Sequence, residues 1–308
     1  MDITVIINQL IQLFLLILLG YFLCRISLID REMNQKLTKL VLQVTMPCMV
    51  LDSVLSQSGE RDIRAVGLVF LIFGIYYLLM PFVGYLLCLL LRLPQKSRGL
   101  YMFMEVYENI GFMGIPLIHA IYGPKGVLYT AIANIIFNLT SFGYGPRMLS
   151  IGTDTSARFN IRNLLSPGFL LSLLAILLYF TGLTFPSVVA GPIGSVGAMT
   201  TPLAMMLIGS TLATMKFSEV FRDSHVYPYI LARQIILPLV VFPLLKYAIQ
   251  DPLILGVFFI LFIMPAASNC VLFATNYQND EVLAARTVFI STMLCILTIP
   301  LLVLVCPL

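Results

Sequence analysis

A carboxylate, an amide, two glycines and a proline stand close together in the apolar stretch ENIGFMGIPLIHA, residues 108–120. A second helix-breaking group, MPAASN, occupies residues 264–269. Because proline removes a backbone donor and clashes with the carbonyl one turn back, GFMGIP at residues 111–116 and MPAASN should each unwind a short stretch of helix near mid-membrane. The half-helix after such a break presents free N–H groups and a partial positive charge of about half a unit. Two such ends favour the binding of an anion. The alternative is that the prolines only kink packed helices and form no binding site.

Three carboxylates are candidates to carry a coupling ion or a proton. Glu105 and Glu108 are three positions apart, on one face of a predicted helix with Asn109 adjacent, and Asp52 lies toward the outer end of another helix. An ionised carboxylate at mid-membrane costs on the order of 3 kcal/mol, so it usually faces a cavity or a partner. We expect a coupling role for Glu108, with an ion pair to Arg233 as the alternative. Glu105 should be hydrated near the cytoplasmic end of its helix. For Asp52, a coupling role and an ordinary structural role both remain open.

The composition places these residues in a membrane. Of 308 residues, 60% are hydrophobic and 10% are charged, against about 25% charged in an ordinary soluble domain. Apolar runs of about 20 residues, the length that crosses a bilayer core, recur along the chain. The first run is too long for a signal-peptide core, so we interpret it as a retained helix. The predicted helices cover residues 3–24, 36–56, 64–91, 98–121, 125–148, 164–183, 190–214, 226–248, 252–275 and 282–305.

The positive charges predict the orientation of the chain. Most of the 18 lysine and arginine residues flank odd-numbered connections between the predicted helices. By the positive-inside rule, those connections face the cytoplasm and both termini lie on the extracytoplasmic side of the cell membrane. The net charge of +4 is therefore mostly a property of the cytoplasmic face, and it does not indicate a nucleic-acid partner.

The sequence predicts no enzyme, cofactor or metal site. Its six cysteines lie in or beside apolar segments without paired spacing, which is typical of packing residues. His119 and His225 stand alone. The sequence also lacks G-x-S-x-G, H-E-x-x-H and a phosphate-binding glycine loop.

The prolines suggest an internal repeat, a common feature of transporters. TMPCM in the second predicted helix resembles TTPLAM in the seventh, and the breaks in the fourth and ninth also correspond. We therefore predict a first five-helix repeat at residues 1–148, a short cytoplasmic connection at 149–163 and an inverted second repeat at 164–308. Unwound backbone is tolerated only inside protein or against a water-filled cavity, so two corresponding breaks indicate a binding site. The paired prolines are Pro47 with Pro202, Pro81 with Pro238, and Pro116 with Pro265.

The motifs NIGFMGIPL, PAASNCVLFA and MPCMVL, together with ten helices, resemble the auxin efflux carrier family, whose bacterial members include malate and malonate carriers. The resemblance covers the whole chain. It implies an all-α membrane fold, an inverted five-plus-five repeat like that of bile-acid symporters and sodium/proton antiporters, with broken helices 4 and 9 crossing at the substrate site. It further implies a scaffold of helices 1, 2, 6 and 7, a transport bundle of helices 3–5 and 8–10, an elevator mechanism and a homodimer.

The resemblance also assigns residues. The family's crossover asparagines correspond to Asn109 and Asn269. The connection between the halves is shorter than in plant members, and the apolar part of helix 3 lacks the aspartate that those members carry, which leaves the proton relay open. The predicted substrate site consists of Asn109, Gly111, Gly114, Pro116, Pro265, Ser268 and Asn269.

These features favour a secondary transporter of a small organic anion, such as a dicarboxylate or an auxin-like carboxylate, coupled to protons or sodium or driven by the membrane potential. A sodium or proton antiporter is the first alternative, because the acidic residues could bind the cation as cargo. A channel or a membrane sensor is a further alternative, although no signalling domain is predicted in this chain.

Overall fold

The computed structural model describes residues 3–55, 62–152, 167–181, 185–214 and 223–306. Within these ranges the chain is helical, without β-strands. The predicted connection at 149–163 lies outside the described residues from residue 153 onward. We number the helices α1 Ile3–Arg25, α2 Arg31–Leu55, α3 Ile63–Leu90, α4 Arg98–Val106, α5 Ile110–Gly143, α6 Gly145–Leu149, α7 Pro167–Thr181, α8 Ser187–Ala198, α9 Thr200–Thr214, α10 Val226–Ala248, α11 Pro252–Phe262, α12 Asn269–Asn276 and α13 Glu281–Val305.

The apolar runs form the helices that their length predicts. Within the described ranges, six segments are long and apolar enough to cross a membrane. The bounds of α1, α3 and α10 agree with the predicted 3–24, 64–91 and 226–248 to within one residue. Ten spans and an inverted repeat remain predictions. The six segments are Arg31–Leu55, Ile63–Leu90, Ile110–Gly143, Ser187–Thr214, Val226–Ala248 and Glu281–Val305.

Prolines and one glycine shape these helices internally. Three π-helical turns, Val41–Thr45, Ile110–Gly114 and Ala232–Ile236, each lie two residues before a proline. A widened turn accommodates a residue that cannot donate to the carbonyl one turn back. In α5 the backbone of Gly123 is non-helical, with φ 65° and ψ −157°, a conformation that suits glycine. This bend lies at the predicted boundary between the fourth and fifth helices.

The chain divides into two compact units. Unit 1 comprises Met1–Val69, Ile110–Ile135 and Leu165–Met215. In unit 1, α1 packs closely against α9, and α2 packs against α7 and α8. The α1–α9 contact requires glycine: a Cβ atom on Gly209 would overlap the backbone of α1, and one on Gly20 would overlap the backbone of α9. Small residues that let helix backbones approach are characteristic of helix packing in membranes.

Unit 2 comprises Phe70–Asn109, Ile136–Leu164 and Lys216–Leu308. Here α12 packs against α13, and α10 packs against both α11 and α13. The unit has an aromatic core: the ring centroids of Phe73 and Phe258 lie 5.1 Å apart, and those of Tyr76 and Phe258 lie 5.3 Å apart. These ring contacts pack the middle of α3 against α11, the helix that precedes Pro265.

Candidate functional site

Two helices are interrupted within unit 2. α4 ends at Val106, and Tyr107 is extended with φ −105° and ψ 97°. α11 ends at Phe262, and the next helix begins only at Asn269. The second interruption contains Pro265, where the sequence predicts a break. Both interruptions leave backbone N–H and C=O groups without helical partners.

The two interrupted segments satisfy each other's backbone groups. The Asn109 N–H donates to the Pro265 carbonyl over 2.9 Å, and the Ala267 N–H donates to the Tyr107 carbonyl over 3.0 Å. Glu108 and Ala266 face each other in an isolated antiparallel bridge. Pairing of this kind is what backbone at membrane depth requires, because the hydrocarbon offers no water as an alternative partner.

The break in the fourth predicted helix lies earlier than the sequence predicts. The sequence predicts that GFMGIP unwinds around Pro116, whereas the non-helical residues are 107–109 and residues 110–114 form a π-helical turn. Pro116 is the second residue after that turn, where the wider turn relieves the clash with the preceding carbonyls. The pairing with residues 265–267, rather than the proline itself, determines where the helix stops.

Glu108 is fully buried and its carboxyl group is held by two phenols. The Tyr77 hydroxyl donates to Oε1 over 2.8 Å, and the Tyr76 hydroxyl donates to Oε2 over 3.2 Å. Both tyrosines come from α3, and their rings pack at 4.9 Å between centroids. Sequence reasoning missed both residues. The signal was available, because a tyrosine buried in an apolar helix needs a partner for its hydroxyl group.

Arg233 is paired differently from the predicted alternative. Its Nε lies 3.9 Å from Oε2 of Glu105, rather than pairing with Glu108 as the sequence allowed. Glu105 is 1% exposed, so the expectation that it is hydrated is wrong. Glu105 and Glu108 also do not share a helix face, because α4 ends between them. The physical reason in both cases is the early end of α4, which turns Glu108 toward α3 and leaves Glu105 beside α10.

The remaining predicted residues fall in three environments. Ser268 and Asn269 are exposed at the N-terminus of α12, whereas Asn109 and Pro265 are buried. Gly111, Gly114 and Pro116 belong to unit 1, as does Asp52. In unit 1, a Cβ atom on Gly111 would lie 3.2 Å from Cε of Met46. Asp52 is half-buried, and a Cβ atom on Gly194 of α8 would lie 2.9 Å from its Oδ1.

The described residues contain no cluster of three or more histidine, cysteine, aspartate or glutamate side chains able to hold a metal ion. The polar side-chain groups described at the crossing in unit 2 include amides, hydroxyls, two carboxyls, the guanidinium of Arg233 and the thiol of Cys270. This donor set suits hydrogen bonding and charge compensation.

Comparison with known proteins gives the class of this protein. The family model described as membrane transport protein matches residues 5–158 and 153–303. An uncharacterized transporter of Methanocaldococcus jannaschii is 25% identical over 303 residues, which cover 93% of this chain and 94% of that protein. An uncharacterized transporter of Methanothermobacter thermautotrophicus is 24% identical over 295 residues, covering 94% of this chain and 95% of that protein. Protein ECM3 of Saccharomyces cerevisiae is 21% identical over 142 residues, covering 44% of this chain and 23% of that protein.

The phenol contacts of Glu108 should stabilise unit 2. Tyr77→Phe removes the shorter hydrogen bond and leaves a buried carboxyl oxygen without that donor, so the free energy of unfolding should fall by about 2 kcal/mol. The measurement is the thermal unfolding midpoint of the purified protein in detergent. Tyr85→Phe is the matched control, because Tyr85 lies on the same helix and is 39% exposed. Equal midpoints for Tyr77→Phe and the control would contradict this role.

Proposed function

The chain belongs to the membrane transport protein family, and on that premise we propose that it is a secondary transporter of a small organic anion. Membership makes it a membrane transporter rather than an enzyme. The proposal adds the class of cargo, the binding site and the mechanism. The single observation that carries it is the backbone pairing of two interrupted helices, with Asn109 bonded to Pro265 and Ala267 bonded to Tyr107.

The pairing supports a binding site because it leaves a new helix N-terminus beside it. α12 begins at Asn269, and its first-turn N–H groups bring a partial positive charge of about half a unit. Ser268 and Asn269 are exposed there and supply neutral hydrogen-bonding groups. Their arrangement suits a carboxylate, which accepts hydrogen bonds and is attracted to the positive end of a helix. A dicarboxylate or an auxin-like aromatic carboxylate is the proposed cargo.

The proposed mechanism is elevator-type alternating access in a homodimer within the cell membrane. Helices 1, 2, 6 and 7 of the predicted set would form the scaffold, and helices 3–5 and 8–10 would carry the cargo. The crossing segments belong to unit 2, which also contains α10–α13. Glu108 is the proposed proton-carrying group, because a fully buried carboxyl group is less costly when it is neutral.

Removal of the exposed amide tests the binding site. A thermal-shift screen of the purified protein against organic acids identifies the ligand, and its dissociation constant is then measured for each variant. Asn269→Ala should weaken binding by about 1 to 3 kcal/mol, the cost of a lost hydrogen bond. Asn8→Ala changes an exposed asparagine of α1 and should bind like the wild type. If Asn269→Ala binds the acid with wild-type affinity, the proposed site is wrong.

The coupling role of Glu108 is tested by transport. Glu108→Gln keeps the size of the side chain and an oxygen acceptor for the tyrosines but cannot release a proton. Substrate exchange between the two sides of proteoliposomes should continue, while accumulation driven by a pH gradient should be lost. Glu32→Gln, on an exposed surface of α2, serves as the control. Gradient-driven accumulation at the wild-type rate in Glu108→Gln would make Glu108 structural, and Asp52 would become the next candidate.

A further inference from the structure

Arg233 is a buried cation of unit 2, and both of its hydrogen bonds go to main-chain carbonyl groups. The residue is 3% exposed and lies in the π-helical turn Ala232–Ile236 of α10. Its Nε donates to the Met104 carbonyl over 3.1 Å, and its Nη1 donates to the Met264 carbonyl over 2.7 Å. One guanidinium group therefore binds the chain at both helix interruptions.

Both acceptors are carbonyl groups that a continuous helix would have satisfied. Met104 belongs to the last turn of α4, and its carbonyl would accept from residue 108 if the helix continued. Met264 follows the end of α11 by two residues. The C-terminal end of a helix carries a partial negative charge of about half a unit, so each end attracts a cation. In transporters with interrupted helices, such ends and the unwound carbonyls coordinate sodium ions or protons.

Glu105 adds an acidic side chain to the same place. Its Oε2 lies 3.9 Å from Nε of Arg233 and accepts no hydrogen bond within the described part of the chain. Two helix ends and one carboxylate form a strongly cation-attracting environment, and all of its parts are buried. Without a positive charge this arrangement would be costly, because buried charges need compensation.

Arginine suits this position better than lysine does. Its planar fork carries several N–H donors in fixed directions, so one side chain can bind two carbonyl groups from different helices at once. Lysine would supply the charge as a single point. The π-helical turn that holds Arg233 lies two residues before Pro238, and that proline favours the widened turn from which the side chain departs.

We propose that Arg233 is a built-in substitute for a coupling sodium ion at the helix crossing. The guanidinium group is covalently attached and cannot dissociate, so no sodium ion binds between Met104, Met264 and Glu105. One consequence of this inference, that sodium does not drive uptake, rests on the proposed transport function. The occupancy of the position by Arg233 can be tested without any organic acid.

The test replaces the guanidinium group and looks for sodium. Arg233→Gln should open a site with two carbonyl groups and the Glu105 carboxylate as ligands. The thermal unfolding midpoint of this variant should be higher by about 4 °C in sodium chloride than in potassium chloride of equal ionic strength. The wild type and Arg233→Lys, which keeps the charge, should unfold at the same temperature in both salts. Arg233→Gln combined with Glu105→Gln removes the anionic ligand and should also lose the dependence on sodium.

Direct binding of sodium-22 to the wild type and to Arg233→Gln completes the test. Sodium bound to Arg233→Gln but not to the wild type is the expected result. Stoichiometric sodium-22 binding to the wild type that potassium does not displace would overturn the proposal. So would an Arg233→Gln protein that behaves identically in the two salts, whether it folds in both or fails to fold in both. Failure of every organic acid to bind would instead count against the proposed transport function and would leave these sodium results unaffected.

Discussion

Backbone polar groups at membrane depth must find partners inside the protein, and this constraint organises unit 2. Two helices stop there, and the extended segments that follow pair with each other through two hydrogen bonds. The carbonyl groups that the pairing cannot reach, those of Met104 and Met264, are bound by Arg233. These bonds give the interrupted segments partners inside the protein, and α12 begins a new helix beside them.

The same region concentrates the buried charges of the unit. Glu108 is bound by two phenols from α3, while Glu105 is compensated by Arg233 from α10. The two carboxyl groups are therefore chemically distinct although they are only three positions apart. Glu105 has a permanent cation beside it and serves to hold α4 and α10 together. The side-chain donors that the described residues give to Glu108 are the neutral phenols of Tyr76 and Tyr77.

The sequence predicts what depends on local pattern and misses what depends on distant partners. Apolar runs of membrane length predict α1, α3 and α10 to within one residue, and Pro265 predicts the interruption before α12. Pro116 misleads, because residues 107–109 leave the helix in order to pair with residues 265–267. Such a pairing joins positions more than 150 residues apart and has no local signal.

The polar partners show the same limit. In the sequence, Tyr76 and Tyr77 are indistinguishable from other residues of an apolar helix. Their role depends on Glu108, which is distant in the sequence and accepts a hydrogen bond from each. The sequence offers Arg233 as an ion-pair partner of Glu108, but its carbonyl acceptors, Met104 and Met264, lie at the ends of two other helices. A buried charge or hydroxyl in an apolar segment therefore indicates a partner without identifying it.

We propose that the start of α12 binds an organic anion. The most direct test is to add one negative charge at that position. Asn269→Asp places a carboxylate where the wild type has an exposed amide of nearly the same size. The dissociation constant of the organic acid that stabilises the wild type should rise at least tenfold in this variant, because like charges repel at the site. Unchanged or tighter binding of that acid would contradict the account and would favour a cation as the cargo.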